Sequence, residues 1–316
     1  MNTVRNKTVI PPGFLEKLER IHPLEFARIR DSFQSVKQYT FRINYRKISL
    51  GSLRERLAGD NIQCTELFYP PGSFILRSGF RELQDSPVYG DGLIYVQNLS
   101  SRIPALVLRP HAGECILDMC AAPGAKACQI ASLAGTGVEL TAIEKIRPRY
   151  YKLCSTLRSQ GVDSVKVILM DGVRAGKNFS GYFDKILLDV PCSCEARFHA
   201  NEPKSFAYWS ERKVREMAHK QKRLIISALS CLKEGGELVY STCTFSPEEN
   251  EEVIDWALQK SFDIEAVPVE LPGVSTVCGL ESWQGRQFSS QIRFTARIIP
   301  DGLWEGFFVA RLKKTA

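Results

Sequence analysis

Two cysteines one residue apart follow an apolar run in KILLDVPCSCEARFHANEP, Lys185 to Pro203, and a further thiol, Cys243, sits in VYSTCTFSP. Thiols so placed can form a disulfide, hold a metal, or act as reactive sulfur at the end of a strand. Cys192 and Cys194 form a C-x-C pair rather than the C-x2-C of structural zinc sites, and the four histidines are scattered, so no metal is expected. Disulfide frameworks belong to short secreted chains, whereas this one has 316 residues and opens MNTVRNKTVIPPGFLEKLER without an apolar signal segment. Its ten cysteines are therefore expected as reduced thiols of a cytoplasmic protein. Inert burial as small hydrophobes suits Cys115, Cys154 and Cys231. It suits Cys192 and Cys243 less well, because Pro191 and Thr242 precede them at what should be the rim of a binding face.

Carboxylates recur at similar places. In ECILDMCAAPGAKAC, Asp118 ends an apolar run and a small-residue loop leads into a helix; small side chains let a ligand approach the backbone, and a helix N-terminus favours negative charge. Only Gly124 is present, so the loop is not the GxGxxG of dinucleotide sites. Glu144 lies about 20 residues further on, where nucleotide-binding sheets place an acid against ribose hydroxyls. Asp171 and Asp189 end the next two runs, so four successive strands finish in an acid.

These residues need elements to carry them. ECILDMC, VELTAIE, VKVILMD and DKILLDV are expected as strands, with GAKACQIASLAG and RPRYYKLCSTLRSQG as helices ending at Gly135 and Gly161. Glu211 to Lys233 is a long amphipathic stretch, GGELVYSTC another strand, and SPEENEEVIDWALQK a helix capped by Ser246 with Pro247 at its first position. Alternation of this kind implies a doubly wound α/β fold, a parallel sheet with its ligands at the carboxyl ends of the strands. The terminal FTARIIPDGLWEGFFVARLKK is expected to pair as a hairpin at the sheet edge.

Before Glu114, FLEKLERI and EFARIRDSFQS suggest helices, and YTFRINYRK, LGSLRERLAGDN and GSFILRSG suggest strand, helix, strand. Two domains are therefore expected, a small α+β module over residues 1–112 and a catalytic domain over 113–316. Residues 1–112 carry 16 Lys and Arg against 10 Asp and Glu, an excess of +6 out of the chain's +7. A basic module beside a near-neutral one suits nucleic acid, although such an excess is also common on solvated surfaces. No apolar run approaches the ~18 residues of a membrane span.

Taken together, LDMCAAPGAK, LLDVPCS, VYSTCTFSPEENE and EGFFVARLKK resemble the Nol/Nop/Sun family of RNA cytosine-5 methyltransferases over the catalytic domain and part of the N-terminal module. The resemblance implies a Rossmann-like sheet and S-adenosylmethionine bound by Cys120, Ala121, Ala122, Pro123, Gly124, Ala125 and Lys126. Lys126 would lie near the methionine portion, Glu144 would hold the ribose, Asp171 would face the adenine, and Arg149 and Asp189 would complete the pocket. The chain departs from the family's PGGKT by reading PGAKA, so the methyl of Ala125 requires a backbone φ below zero at that residue.

Cytosine carbon 5 is too poor a nucleophile to take a methyl group directly, and a thiolate adding at carbon 6 turns the ring into an enamine that can. Residue types alone leave the roles of the two thiols open. The resemblance makes Cys243 the attacking thiol and Cys192 the one that assists release, while Asp189 can hydrogen-bond the cytosine amidine edge. The target base must be unpaired or flipped out of RNA. Arg28, Arg30, Arg42, Arg46 and Lys47 are available to grip phosphates. The rival expectations are a DNA cytosine-5 methyltransferase, for which no separate large target-recognition region is apparent, and an RNA-binding assembly factor without turnover. The substrate stays open between ribosomal and transfer RNA, and a monomer is expected.

Overall fold

The computed structural model describes residues 9–36, 38–260 and 263–315, so the opening residues 1–8, searched above for a leader, lie outside it. The N-terminal third runs α1 (Pro12–Ile21), α2 (Phe26–Ser32), β1 (Thr40–Ile43), α3 (Leu50–Gly59), β2 (Cys64–Leu67), β3 (Ser73–Leu76), the short α4 (Phe80–Asp85) and α5 (Pro87–Gly90), β4 (Ile94–Val96) and α6 (Leu99–Leu108). The strands form an antiparallel sheet in the order β2-β3-β1-β4. Phe41, Ile43 and Phe74 of this sheet pack against Leu53 and Leu57, one helical turn apart on α3, to make a small core of their own.

The core does not divide at residue 112. Phe14 and Leu18 of α1, with Ile29 and Phe33, pack instead on Phe198, Phe206, Trp209 and Phe245 from the loops that carry the thiols. Leu99 and Ile103 of α6 join the core of the large sheet. Among the described residues of the N-terminal third, the stretch from β1 to β4 keeps a core of its own, because there the small sheet and α3 cover each other's apolar faces.

From residue 115 strands and helices alternate: β5 (Cys115–Asp118), α7 (Ala125–Ala134), β6 (Glu139–Glu144), α8 (Arg147–Ser159), β7 (Lys166–Leu169), α9 (Ala175–Asn178), β8 (Phe183–Asp189), α10 (Glu211–Cys231), β9 (Leu232–Thr242) and α11 (Glu251–Leu258). Then come β10 (Ile264–Val267), β11 (Thr276–Cys278), the hairpin β12 (Ser282–Trp283) and β13 (Arg286–Gln287), β14 (Ala296–Ile298) and β15 (Phe307–Lys314). The sheet order is β11-β14-β15-β9-β8-β5-β6-β7, with β10 also on β15. Strands β7, β6, β5, β8 and β9 are parallel. The chain winds outward from β5 to β7 on one side and through β8 and β9 on the other, so the crevice of this doubly wound sheet opens between the carboxyl ends of β5 and β8.

Two expectations are corrected. β14 and β15 do pair as an antiparallel hairpin, but β15 lies inside the sheet between β9 and β14, and β11 supplies the edge. The helix expected from Ser246 begins at Glu251, because Ser246 turns its hydroxyl to Glu195 and the Asn250 side chain is spent on Thr242 and the Thr244 carbonyl.

The basic residues proposed to grip phosphate are occupied by the protein itself. Arg42 is 2% exposed, bonded to Gln97 and to the Ala125 carbonyl. Arg46 donates to the carbonyls of Gly161 and Ala131, and Lys47 to those of Asp91 and Ser159. These three dock the small sheet onto α7 and α8, and Arg46 and Lys47 satisfy carbonyls left open at the carboxyl ends of those helices. Arg28 reaches Ser275 and Asp301, and Arg30 pairs with Asp31 on the surface. Among the described residues no helix is long and apolar enough to cross a membrane.

Candidate active site

The β5–α7 loop forms one wall of the crevice. Gly124 has φ +112, and a Cβ there would stand 3.1–3.2 Å from Leu153 and Thr156 of α8. It lets α7 approach α8 and lines neither of the cavities described below. Ala125 already belongs to α7 and has no positive φ, so its methyl is accommodated as required.

Two adjoining cavities share Cys120, Arg149 and Pro191. The smaller, 180 Å3, is walled by Glu144, Ile146, Asp171, Val173 and Leu224. Glu144 accepts from the Ile146 N–H at 2.8 Å and lies 3.4 Å from the Arg149 guanidinium, which itself donates to the Ala122 carbonyl. Asp171 accepts from Lys145 at 2.6 Å and from the Val173 N–H; burial pushes its carboxyl up, but these donors outweigh it and leave it below the usual carboxylate range.

The larger cavity, 350 Å3, holds Cys120 to Pro123, Ala125, Lys126, Asp118, Asp189 and the thiols. Lys126 lies 2.8 Å from Asp189 and donates to Ser101 at 2.8 Å, while Ser241 donates to the other Asp189 oxygen at 2.7 Å. Asp118 is 1% exposed, and neither oxygen completes a hydrogen bond of good geometry, although the Cys120 N–H leans toward it. Burial pushes its carboxyl up to about 7 against the pull of Lys126. A buried, unpartnered carboxylate facing a cavity is a site built for a cationic group of a ligand.

The thiols come from the loops after β8 and β9, which are adjacent parallel strands. Cys192 Sγ lies 3.4 Å from Cys243 Sγ and 3.9 Å from Cys194 Sγ. All three sulfurs fall within 4.8 Å of one another, and among the described residues no histidine nitrogen or carboxylate oxygen shares that reach. The two loops are tied from behind. Glu195 accepts from Thr244 Oγ1, the Phe245 and Ser246 N–H groups, Ser246 Oγ and Trp209 Nε1. Glu249 accepts from the Ser193 N–H and Gln221 Nε2, and burial, then Glu195, push its carboxyl up to about 8. Arg297, buried, pairs with Glu251 and donates to the Phe245 carbonyl.

The sulfurs share protons and ionise as a set. Hydrogen bonds from Cys192 and Cys243 draw the Cys194 thiol down to about 3, assisted by Arg197. Donation to Cys194 and Cys243 and then burial push Cys192 well up. Cys192 draws Cys243 down, but Cys194 and burial outweigh it and leave it at about 11. Arg197 lines the same cavity, and its guanidinium is stabilised first of all by Cys243.

Every catalytic or cofactor-binding residue expected from the sequence lines one of the two cavities except Gly124, whose part is to let two helices meet. Asp118 had been noted only as a strand-end acid, and its orphaned burial could not be read from its position. Cys194 was visible in the C-x-C pair, but nothing linear said that its sulfur would meet Cys243. Arg197, Ser101 and Phe307 carried no signal; each reaches the cavity from an element whose packing only the tertiary fold decides.

Residues 105–313 match the family described as 16S rRNA methyltransferase RsmB/F. The tRNA (cytosine(49)-C(5))-methyltransferase of Pyrococcus abyssi is 42% identical over 227 residues, 72% of each chain. Ribosomal RNA small subunit methyltransferase F of Pectobacterium carotovorum is 32% identical over 97% of this chain, which spans 63% of that relative's length. Among solved structures, a methyltransferase homolog from Pyrococcus horikoshii superimposes with a TM-score of 0.81 at 30% identity, covering 96% of this chain and 100% of that one. The chain belongs to the RsmB/F family of methyltransferases, in keeping with the Nol/Nop/Sun motifs at its crevice.

Proposed function

We propose that this protein methylates carbon 5 of a cytosine in RNA, with S-adenosylmethionine as methyl donor and Cys243 as covalent nucleophile. The observation that carries the proposal is the meeting of two thiols, 3.4 Å apart, with the Lys126–Asp189 pair and the unpartnered Asp118 in one cavity. The residues fit the donor: Asp118 offers a carboxylate to its ammonium group, Glu144 a carboxylate to ribose hydroxyls, and Asp171 with Ile146 and Val173 a largely apolar slot for a purine. When bound, S-adenosylmethionine supplies an electrophilic methyl group.

The remaining work falls to side chains. Cys243 gives up the proton that it shares with the neighbouring sulfurs and, as thiolate, adds to carbon 6 and makes carbon 5 nucleophilic. Asp189, fixed by Lys126 and Ser241, holds the amidine edge of the base, and Cys192 assists departure of the methylated product. Cys243 is only 8% exposed, so the base must be unpaired or flipped to reach it. The relatives named above act on transfer and on ribosomal RNA, which makes both the substrates to screen; we expect the enzyme to act as a monomer and to need no metal, since the thiol supplies the nucleophile.

Denaturing gels of the full chain with each RNA test the assignment. Cys243→Ala should abolish methylation and any covalent RNA adduct, whereas Cys192→Ala should stall as a long-lived adduct. An adduct in Cys243→Ala and none in Cys192→Ala would exchange the roles; methylation and adduct surviving in both would remove these thiols from the reaction.

A further inference from the structure

The third thiol has no part in that chemistry. Cys194 sits at φ +58, ψ +32, a left-handed position that favours glycine, with its sulfur turned toward the other two. It lines the open cavity, so small solutes reach it. Around it stand Cys192 on its own loop, Cys243 at the end of β9, Arg197 one turn on, and Glu249 from the turn before α11; Glu195 beside it is occupied by five donors, and Glu305 lies near Arg197.

We propose that Cys194 is a peroxide-reactive modification site whose sulfenic acid is captured by Cys243, masking the nucleophile in a reversible disulfide. The consequence for activity rests on the reading of Cys243 as the attacking thiol; the cross-link itself does not. In the first step the Cys194 thiolate attacks one oxygen of a hydroperoxide: an S–O bond forms, the O–O bond breaks, sulfur is oxidised and the second oxygen leaves as hydroxide or alkoxide. In the second, Cys243 attacks that sulfur, an S–S bond forms, and the S–O bond breaks with the hydroxyl and the Cys243 proton leaving as water. A dithiol reductant returns both thiols.

The geometry of the sulfurs carries the site, and its electrostatics agree. The sulfurs are within 4.8 Å of one another, so a side-chain rotation brings two into bonding range. Arg197 supplies the positive neighbour that marks reactive thiolates. Cys194 donates its thiol proton to the Cys192 carbonyl at 3.5 Å, the neighbouring sulfurs and Arg197 favour its thiolate, and a capturing thiol is already at hand.

The test treats the full chain with hydrogen peroxide at neutral pH, alkylates the remaining thiols, and maps peptides by mass spectrometry. Expected are a peptide pair joined through Cys194 and Cys243, loss of alkylatable Cys243, and recovery with dithiothreitol. Cys194→Gly relieves the left-handed backbone position, so it should melt no lower than the parent, and Cys194→Ser provides a second variant. Both should slow the masking of Cys243 at least about tenfold, since the thiol that forms the sulfenic acid is gone. Masking at the parent rate in either variant, or oxidation of Cys194 without a cross-link, overturns the proposal. If the cross-link forms but Cys243→Ala still gives an RNA adduct, the catalytic reading fails and the site stands; if the adduct is lost and no cross-link forms, only this inference fails.

Discussion

The two walls of the crevice are built on different principles. The wall from β5 to β7 is assembled from consecutive strand ends: Glu144 is held by the Ile146 N–H and Arg149, Asp171 by the Val173 N–H and Lys145, and Asp118 by almost nothing. The wall that carries the thiols joins loops 51 residues apart in sequence, and it is fastened by buried carboxylates, a buried Arg297–Glu251 pair and helices from the N-terminus. Lys17 of α1 alone reaches Glu248 and Ser246 behind Cys243. The binding wall leaves one buried carboxylate, Asp118, unpartnered for a ligand to satisfy. A covalent wall must hold its reacting atoms to a fraction of an ångström before any ligand arrives, and that takes paired, buried polar groups.

This contrast predicts that similar changes have opposite effects on the two sides. Glu195→Ala strips the acceptor from five donors at once, and should cost about 4 kcal/mol of stability or more by urea unfolding, with adduct formation lost. A protein that stays stable and reactive without Glu195 would break the comparison.

Asp118→Asn should do the reverse. The folded-state pKa of Asp118 is raised from 3.8 to about 7, so the folded state binds the proton more tightly, and stability on this account is full below about 4 and lost as pH rises to about 7. Removing the charge should make the unliganded protein more stable at pH 8 by up to about 4 kcal/mol, while S-adenosylmethionine affinity falls by calorimetry. Loss of stability with unchanged affinity would place Asp118 in the scaffold and not in the site.

Gly124→Ala sharpens the contrast at its smallest scale, one methyl at the hinge of the cofactor wall. Its positive φ and the 3.1–3.2 Å contacts with α8 should cost about 1–3 kcal/mol in thermal unfolding, with the thiol wall and the reactivity of Cys243 toward alkylation unchanged. An equal loss of Cys243 reactivity would mean that the two walls move as one.

Much of the cofactor wall was legible in linear order, because strands of period 2, helices closed by glycine and acids at strand ends are local signals: Gly135, Gly161, Glu144 and Asp189 stand where their neighbours imply. The helix placed at Ser246 and the edge position given to β15 were misjudged for one reason. Ser246 looks like a cap until Glu195, 51 residues away, takes its hydroxyl, and the β14–β15 hairpin looks like an edge until β11 pairs with β14. Likewise the charge of Arg42, Arg46 and Lys47 is plain in the sequence, but their partners are carbonyls of helices that the chain reaches about a hundred residues later.

What the sequence by itself determined is the order of strands and helices, the small-residue loop, and the Pro-Cys and Thr-Cys motifs that identify the chemistry, since each depends on residues within a turn or a strand of one another. The meeting of three sulfurs, the isolation of Asp118 and the use of α1 and α2 as a buttress were decided by tertiary structure. Hydrogen bonds and desolvation depend on which atoms become neighbours, and in a parallel sheet those neighbours come from strands separated by whole helices.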